Sequence, residues 1–356
     1  MITKKAATRI LYKALVDRSA SHLGKFVVGV KTTGILCIPT CTAKKPKIEN
    51  CDFFETMQEG LLSGYRPCKR CHPIIHGIPC EQTIKVAEAI ESNPTHRWKE
   101  RDFIDLGIDS RKASSAIKRN TGLTLVEYAR ARRLGLAFKF VFSPVRPLPS
   151  ASSSRIKLLD PRPRIKDPFD CIMPHPSKVV PTRTLTVTWV TTPIGPMLSV
   201  SNPNALYLLE FIDRRGLETE LITLRKRLKS RMVPGQTPVS DLLQEELNQY
   251  FNGKLSEFKT PIEYIGSKFQ RTVWDALRQI PAGERVSYSQ LAKSIGKPKA
   301  SRAVANANGA NILSILVPCH RVIRNDGSLG GYGGGLHRKH KLLEDESTFQ
   351  VKLARR

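Results

Sequence analysis

The sequence predicts a multidomain chain in which α/β modules flank one purely helical module. Three observations support this fold class. The 356 residues are enough for two or three separate cores. Cysteines cluster within residues 1–78, whereas residues 143–183 are so rich in Pro, Ser and basic side chains that they predict a linker. Alternating apolar residues beyond the linker predict strands, and patterns of helical period follow them.

Positive charge is spread over the whole chain. Its 58 Lys and Arg residues outnumber 31 Asp and Glu residues, which gives a formal net charge of +27. This excess favours nucleic acid over a membrane surface as partner, because Lys and Arg neutralise phosphates and release counterions. No apolar run reaches membrane-spanning length and the N-terminus lacks an apolar signal region, so we expect neither a membrane partner nor secretion.

The first module, residues 1–78, carries cysteines at metal-ligand spacing. The motifs "CIPTC" and "CKRC" each supply a pair that can chelate one ion, and four thiolates make a closed tetrahedral zinc site: Cys37, Cys41, Cys68 and Cys71. Cys51 could replace one ligand, but it has no partner at chelating distance and is interpreted as structural. The alternative is four unrelated buried thiols. The spacing is unlike a secreted disulfide framework and predicts a reducing, intracellular compartment.

The stretch "FVVGVKTTGILCIPTC", followed by "GYRPCKRCHP", resembles the N-terminal domain of the Ada adaptive-response proteins. The resemblance implies a small α+β domain with one zinc ion, and no organic cofactor. It also implies that Cys37 accepts a methyl group from methylphosphotriesters in the DNA backbone. A zinc-bound thiolate stays nucleophilic at neutral pH. Methylation removes one negative charge beside the DNA phosphates, so DNA affinity should rise.

The chain departs from this family pattern at two places. Family members tend to carry arginines between and after the first cysteine pair, where this chain has Ile38 and Thr42. Lys44 and Lys45 lie just after the first cysteine pair, and Arg66 in "GYRPCKRCHP" matches the family. We expect DNA contacts from Lys44 and Arg66.

The second module, residues 81–142, is predicted to be helical and basic. "WKERDFIDLGIDSRKASSAIKRNTG" predicts a helix, a turn at Gly107 and a second helix with Ser110 as its N-cap, which is a helix-turn-helix pattern. The second helix carries side chains that could reach phosphates and bases: Arg111, Lys112, Lys118 and Arg119. The alternative is a charged, solvated helix face.

"TGLTLVEYARARRLGLA" resembles the closing part of an AraC-type DNA-binding domain, which the Ada family also carries. The resemblance implies binding of promoter DNA, transcriptional activation and RNA polymerase as a further candidate partner. It places three arginines near the DNA backbone: Arg130, Arg132 and Arg133.

The third module begins beyond the linker. "TLTVTWVTT" predicts a strand from the alternation of Leu185, Val187 and Trp189, and "ALYLLEF" predicts a second strand. "SKFQRTVWDALRQI" predicts a helix that stops at Pro281 and has one apolar face formed by Phe269, Val273 and Leu277.

The segment from "SYSQLAKSIG" through "PCHR" to "GGYGGG" closely resembles the O6-alkylguanine-DNA alkyltransferases. The resemblance implies an α+β domain with a ribonuclease-H-like, strand-rich part at residues 184–265 and a catalytic part of winged helix-turn-helix type at residues 266–347. The implied activity is irreversible transfer of a methyl group from O6-methylguanine or O4-methylthymine to Cys319. The thioether product cannot be reversed by any group in the sequence, so each acceptor cysteine should act once.

The apolar residues around Cys319 would by themselves raise its pKa and make it inert, so reactivity requires a proton acceptor. In the alkyltransferase family the residue matching His320 takes the proton through a water, and the one matching Glu346 polarises this histidine. Asn311 matches the asparagine that orients the turn around the cysteine.

The target base lies inside a duplex and must be flipped out. In the family a helix-turn-helix enters the minor groove, where Arg302 would fill the vacated stack and Tyr288 would lie near the target phosphate. Small residues would let the second helix approach closely: Ala303, Ala305 and Ala307.

The sequence is therefore identified as that of an Ada-type bifunctional DNA-alkylation repair protein and transcriptional regulator. We expect it to be a monomer that acts on double-stranded DNA, both alkylated DNA and promoter DNA. We expect it in the cytoplasm of a bacterium or the nucleus of a eukaryote. One alternative is a zinc-containing transcription factor without catalytic activity, and another is a thiol hydrolase built on "PCHR".

Overall fold

The computed structural model describes residues 5–74, 81–142 and 183–349. The predicted linker lies outside the described residues except for Arg183. Two compact units divide the chain at residues 174 and 175. Among the described helices, none is both long and apolar enough to cross a membrane.

The first unit begins with a small sheet and the helices around it. The elements are α1 (Lys5–Val16), β1 (Val27–Val30), β2 (Ile35–Cys37), β3 (Cys51–Phe54), α2 (Met57–Leu62) and β4 (Arg66–Pro67). The strand order is β3-β1-β2-β4, in which β1 is antiparallel to both neighbours and β2 is parallel to β4. Apolar side chains of α1, β1 and β3 form its core.

Four helices complete the described part of this unit: α3 (Glu81–Ser92), α4 (Glu100–Asp105), α5 (Ser110–Thr121) and α6 (Leu125–Phe142). Gly107 turns the chain between α4 and α5 with φ of +71°, which suits glycine. The prediction that Ser110 is the N-cap is wrong by one residue. Asp109 is the cap, because its carboxylate accepts from the backbone N–H of Lys112 at 3.0 Å.

The second unit begins with β5 (Arg183–Val190), β6 (Met197–Ser201), β7 (Leu206–Phe211), α7 (Leu217–Leu228), β8 (Ser230–Pro234) and α8 (Pro238–Phe251). The strand order is β7-β6-β5-β8. The expected alternation ends early on β5, because Leu185, Val187 and Val190 are buried whereas Trp189 is only half-buried.

The remaining elements are α9 (Lys268–Arg278), β9 (Val286–Ser287), α10 (Tyr288–Ser294), α11 (Ser301–Gly309), β10 (Val322–Ile323) and α12 (Leu336–Ser347). On α9, Val273 and Leu277 are buried and Phe269 packs partly buried against the same core, as the pattern predicts. The indole of Trp274 donates to the carbonyl of Ala307 at 2.8 Å and fixes α9 against α11.

The sheet of the second unit positions the loop that carries Cys319. At the β7 edge, Leu209 N–H donates to Ile312 O and Ser314 N–H donates to Leu209 O, both at 2.9 Å. These bonds attach the chain just before the "PCHR" motif to a fully buried strand. The multidomain organisation of mixed α/β and α class is therefore confirmed.

Candidate functional site

Cys319 lies in a single turn of 3₁₀ helix between the β7 edge and β10, and its side chain is buried. Asn311 determines the shape of this turn. Its Nδ2 donates to Val317 O at 2.9 Å and to Cys319 Sγ at 3.2 Å, while its Oδ1 accepts from Leu313 N–H at 2.9 Å. The structure therefore brings Asn311 and Cys319 into direct contact.

Burial raises the pKa of the Cys319 thiol, and the hydrogen bond from Asn311 partly offsets this effect. The negative charge of Glu210 also raises this pKa, whereas the positive charges of Arg214 and Lys339 lower it. The thiol is therefore protonated at neutral pH, and its reaction as a nucleophile requires a group that takes the proton.

His320 and Glu346 form the pair that the sequence predicts for this task. Nε2 of the fully buried imidazole lies 2.9 Å from Oε1 of the fully buried carboxylate on α12. A carboxylate can only accept, so Nε2 carries the proton and Nδ1 is the acceptor nitrogen of the neutral ring. Burial lowers the pKa of His320 although Glu346 opposes the shift, so the ring is neutral at neutral pH.

Glu346 also accepts from two side chains to which the sequence assigns no role. The Tyr250 phenol donates to Oε1 at 2.6 Å. The guanidinium of Arg321 donates from Nε to Oε2 at 2.9 Å and from NH2 to Oε1 at 2.8 Å. Burial alone would raise the pKa of Glu346, but His320 and Arg321 outweigh burial and hold this pKa far below its usual range. The carboxylate is therefore ionised.

The sequence signal for these two residues was weak or missing. Arg321 belongs to the "PCHR" motif, which indicates the family but does not identify a partner for this arginine. Tyr250 lies on α8, and no motif links it to a glutamate that follows 96 residues later. Glu344, the neighbour easily mistaken for Glu346, lies on the exposed side of α12 and pairs with Lys341 at 3.4 Å.

Lys339 is a further buried group that sequence reasoning missed. Its ammonium donates to Val322 O at 2.6 Å and to Leu329 O, so it joins the turn after Cys319 to the residue that precedes the Gly-rich loop (residues 330–335). Burial lowers the pKa of Lys339 to about 8.

The predicted DNA-binding helices lie next to this site. Arg302 is exposed on α11, and Tyr288 is half-buried at the start of α10. Burial and the negative charge of Cys319 both raise the pKa of Tyr288. The expectation that three alanines face the groove is wrong for Ala307, which is buried on the inner side of α11.

The four predicted zinc ligands converge in the first unit. Parallel pairing of β2 with β4 aligns Leu36 with Pro67 and so brings Cys37 next to Cys68. All four sulfur atoms lie within 4.8 Å of one another: Cys37, Cys41, Cys68 and Cys71. Cys51 lies outside this cluster on β3, where its thiol donates to Lys47 O at 3.4 Å.

The electrostatics of this cluster fit a divalent cation. The pKa of Cys37 is raised by a hydrogen bond with the Cys71 thiol, by burial and by the negative charges of the other three cysteines, charges that a divalent cation would offset. Backbone N–H groups also point at the sulfur atoms, as Arg70 N–H does at 3.4 Å from Cys68 Sγ. Four clustered sulfur donors, of which only that of Cys71 belongs to a half-buried residue, suit zinc, so the chain has one zinc site with four cysteine ligands.

The other predicted DNA contacts in this unit differ in exposure. Lys44 is exposed beside the cluster, Arg66 is half-buried on β4, and Arg111 and Lys112 are exposed on α5. The expectation that Arg132 and Arg133 lie near DNA is wrong, because both are buried.

These two arginines hold the helices of the unit together. Arg132 donates to both carboxylate oxygens of Glu91 on α3, at 2.7 and 3.1 Å. Arg133 donates to His96 O at 3.2 Å. A basic run on a helix therefore serves packing here as well as charge.

Two family models match the chain. The metal binding domain of Ada matches residues 10–73. The DNA binding domain of 6-O-methylguanine DNA methyltransferase matches residues 268–348.

Relatives of known function match nearly the whole chain. It is 31% identical to the bifunctional transcriptional activator/DNA repair enzyme Ada of Escherichia coli, over 94% of this chain and 95% of that protein. It is 32% identical to the regulatory protein Ada of Salmonella typhimurium, over 93% and 94%. Its carboxyl-terminal part is 40% identical to a methylated-DNA–protein-cysteine methyltransferase of Mycobacterium leprae, over 43% of this chain and 87% of that protein.

Solved structures resemble parts of the chain. One is the OGT of Mycobacterium tuberculosis in complex with DNA, which is 38% identical in sequence. The match covers 47% of this chain and 94% of that chain, with a TM-score of 0.40. Another is the methylated N-Ada/DNA complex, with 28% identity, 36% and 98% covered, and a TM-score of 0.20.

Proposed function

The chain belongs to the Ada family, and we propose that its two sites repair two kinds of DNA damage, with Cys319 and Cys37 as separate methyl acceptors. It is a DNA repair enzyme of the methylated-DNA–protein-cysteine methyltransferase class, in a family whose relatives also activate transcription. The observation that carries the base-repair role is one buried arrangement. Asn311 contacts the sulfur of Cys319, and the adjacent His320 is bonded to Glu346.

At the base site, the sulfur of Cys319 attacks the methyl carbon of O6-methylguanine or O4-methylthymine. The S–C bond forms as the C–O bond breaks, and the base leaves as an oxyanion. The thiol proton passes through a water to Nδ1 of His320, while the Nε2 proton of this ring is held by Glu346. The released base anion takes a proton from water, and the protonated His320 returns the thiol proton to solvent, so the products are S-methylcysteine and the repaired base. Arg302 fills the space that the flipped base leaves in the stack, and Tyr288 lies near the target phosphate.

At the metal site, four cysteines hold the ion: Cys37, Cys41, Cys68 and Cys71. Zinc, when bound, keeps these sulfurs deprotonated at neutral pH. Cys37 then takes the methyl group of a methylphosphotriester, an S–C bond replaces the O–C bond, and an ordinary phosphodiester anion remains. Its neighbours Lys44 and Arg66 contact the DNA backbone.

Methylation of Cys37 provides the regulatory signal. It converts one thiolate into a neutral thioether, so the first unit loses one negative charge where it faces DNA phosphates. DNA affinity therefore rises. The helix-turn-helix of α4 and α5 then holds promoter DNA through Arg111 and Lys112, and RNA polymerase is the further partner.

We propose that the protein acts as a monomer inside the cell, in the cytoplasm if the source is bacterial like the named relatives and in the nucleus if it is eukaryotic. The predicted modules keep their boundaries in this proposal: residues 1–78, 81–142, 143–183, 184–265 and 266–347.

The test uses the full chain loaded with zinc and DNA that carries O6-methylguanine and methylphosphotriesters. Intact mass and peptide mapping should show two methyl groups, one on Cys319 and one on Cys37. Cys319→Ala should abolish base repair and leave the zinc content unchanged, whereas Cys37→Ala should abolish phosphotriester repair and weaken zinc retention. DNA binding without methyl transfer to either cysteine would support a regulator without catalysis. More than one turnover per site would refute single use.

A further inference from the structure

Arg214 joins three separate parts of the second unit. It lies just beyond β7, and its side chain is only 9% exposed. Its NH1 donates to Glu210 Oε1 at 2.7 Å, and its Nε lies 2.7 Å from Glu220 Oε1. Its NH2 donates to the carbonyl of Gly309 at 3.2 Å. Two carboxylates therefore hold the guanidinium in one orientation, which leaves it little freedom to turn aside.

The contact with Gly309 reaches the DNA-binding helix. Gly309 is the last residue of α11, the helix that carries Arg302. The same guanidinium lies against the Gly-rich loop (residues 330–335), because a Cβ atom on Gly333 would overlap NH1 of Arg214. A single buried side chain thus touches both the end of α11 and this loop.

The Gly-rich loop also borders the acceptor site. The ring of Tyr332 lies 6.4 Å from the ring of His320 in an edge-on arrangement. A second arginine holds the same loop at Gly334, because Arg338 NH1 donates to Gly334 O at 2.8 Å. Arg338 in turn pairs with both oxygens of Asp213, at 2.7 and 2.9 Å. Asp213 and Arg214 therefore connect the loop to the end of the buried strand β7.

We propose that Arg214 is a positioning residue for methyl transfer, which sets the distance between α11 and the Gly-rich loop on either side of the flipped base. The proposal rests on the function proposed above and assigns this task to the strand-rich half of the unit. Methyl transfer requires the sulfur, the methyl carbon and the leaving oxygen in line, and small displacements of the base reduce the rate strongly. The positive charge of Arg214 also lowers the pKa of Cys319, and this favours the nucleophilic thiolate.

The test compares two glycines of the same loop. Neither Gly331 nor Gly333 has the positive φ that would exclude alanine, but a Cβ on Gly331 meets no atom within 4 Å. We expect Gly331→Ala to transfer at a rate within about twofold of the parent at saturating O6-methylguanine duplex. Gly333→Ala should push Arg214 from its carboxylates and slow the limiting rate about tenfold or more. Equal rates for the two variants would overturn the proposal.

A double variant distinguishes displacement of Arg214 from direct obstruction of the base by the methyl group that Gly333→Ala adds. Lysine has no atom equivalent to NH1 for the added methyl group to meet. The fold-loss in limiting methyl-transfer rate of the double variant Arg214→Lys, Gly333→Ala should therefore be smaller than the product of the fold-losses of the two single variants. If the losses multiply, the methyl group added by Gly333→Ala acts on the base and the proposal fails.

A second readout uses neither DNA nor the double variant. The rate at which iodoacetamide labels Cys319 should fall in Gly333→Ala across the pH range, because the displaced guanidinium no longer favours the thiolate. An unchanged pH profile of labelling would count against the positioning role. Methyl transfer by the unsubstituted chain tests the proposed function on its own, so the two failures are distinguishable.

Discussion

Tyr250 on α8 and Glu346 on α12 are joined by a hydrogen bond of 2.6 Å between the phenol and carboxylate Oε1. The same oxygen lies 2.9 Å from Nε2 of His320 and accepts from NH2 of Arg321 at 2.8 Å. Because one buried oxygen of Glu346 accepts from three donors, the carboxylate is ionised and fixed in place. The orientation of His320 therefore depends on residues of two distant helices.

Tyr250→Phe should lower the free energy of unfolding of the second unit by about 1.5–3 kcal/mol, the range for a hydrogen bond to a charged group. It should also slow methyl transfer to Cys319, because Glu346 gains freedom to turn away from His320. Urea titration and single-turnover rates measure the two effects. Tyr207→Phe is the matched control, since that phenol is hydrogen-bonded to Asn202 and to the carboxylate of Glu263 instead of that of Glu346. Parent-like stability and rate in Tyr250→Phe would contradict the role given to this bond.

The rate of methyl transfer to Cys319 should fall in acid, with a midpoint below about 6.5, the usual pKa of histidine. Burial lowers the pKa of His320, so its imidazole is neutral above that midpoint and can take the thiol proton. As the pH falls through this pKa, Nδ1 becomes protonated and the acceptor is lost. Single-turnover rates at saturating duplex from about pH 5 to about pH 8 measure the profile, with circular dichroism to show that the chain stays folded. A midpoint above about 6.5 would be inconsistent with this environment.

Zinc binding should distinguish the clustered cysteines from the one beside them. Cys68→Ser should lose zinc to a competing chelator, because it removes one of four sulfur ligands. Cys51→Ser should keep one zinc per chain, since its sulfur lies on β3 outside the cluster. Metal content after dialysis against the chelator measures the difference. Zinc loss in Cys51→Ser with retention in Cys68→Ser would reverse the ligand assignment.

Replacement by alanine should destabilise the first unit at one buried arginine and leave its stability nearly unchanged at an exposed one. Arg132→Ala should cost about 3 kcal/mol of unfolding free energy, because it leaves Glu91 without its buried bidentate partner. Arg111→Ala should change stability by less than about 0.5 kcal/mol, since this side chain is exposed.

The DNA affinities of the same pair should differ as well. Arg111→Ala should weaken binding and reduce the slope of log affinity against log salt by about 1. Folded Arg132→Ala should keep the parent slope. Thermal melts and fluorescence titrations at several salt concentrations measure both. A reduced salt slope in folded Arg132→Ala would mean that this arginine does reach a phosphate.

Local pattern was sufficient for several parts of this protein. Two cysteine pairs at short spacing predict the zinc ligands, because chelation by neighbours in the sequence constrains the geometry before folding. The strands and helices around Leu185 and Val273 follow from apolar periodicity. The sequence was insufficient where burial decides, as at Arg132: the AraC-type resemblance implies that this arginine lies near DNA, whereas in the structure it is buried and bonded to Glu91 on α3.

The sequence by itself determined which cysteines lie at metal-ligand spacing and how strongly positive the chain is, and it predicts the reactive sulfurs and the module boundaries. Only the tertiary structure decided which distant groups complete each site. Tyr250 and Arg214 lie far from Cys319 in the chain, and no motif marks them. Their roles arise because folding removes charges from water, so that every buried carboxylate and guanidinium requires a partner wherever the packing supplies one.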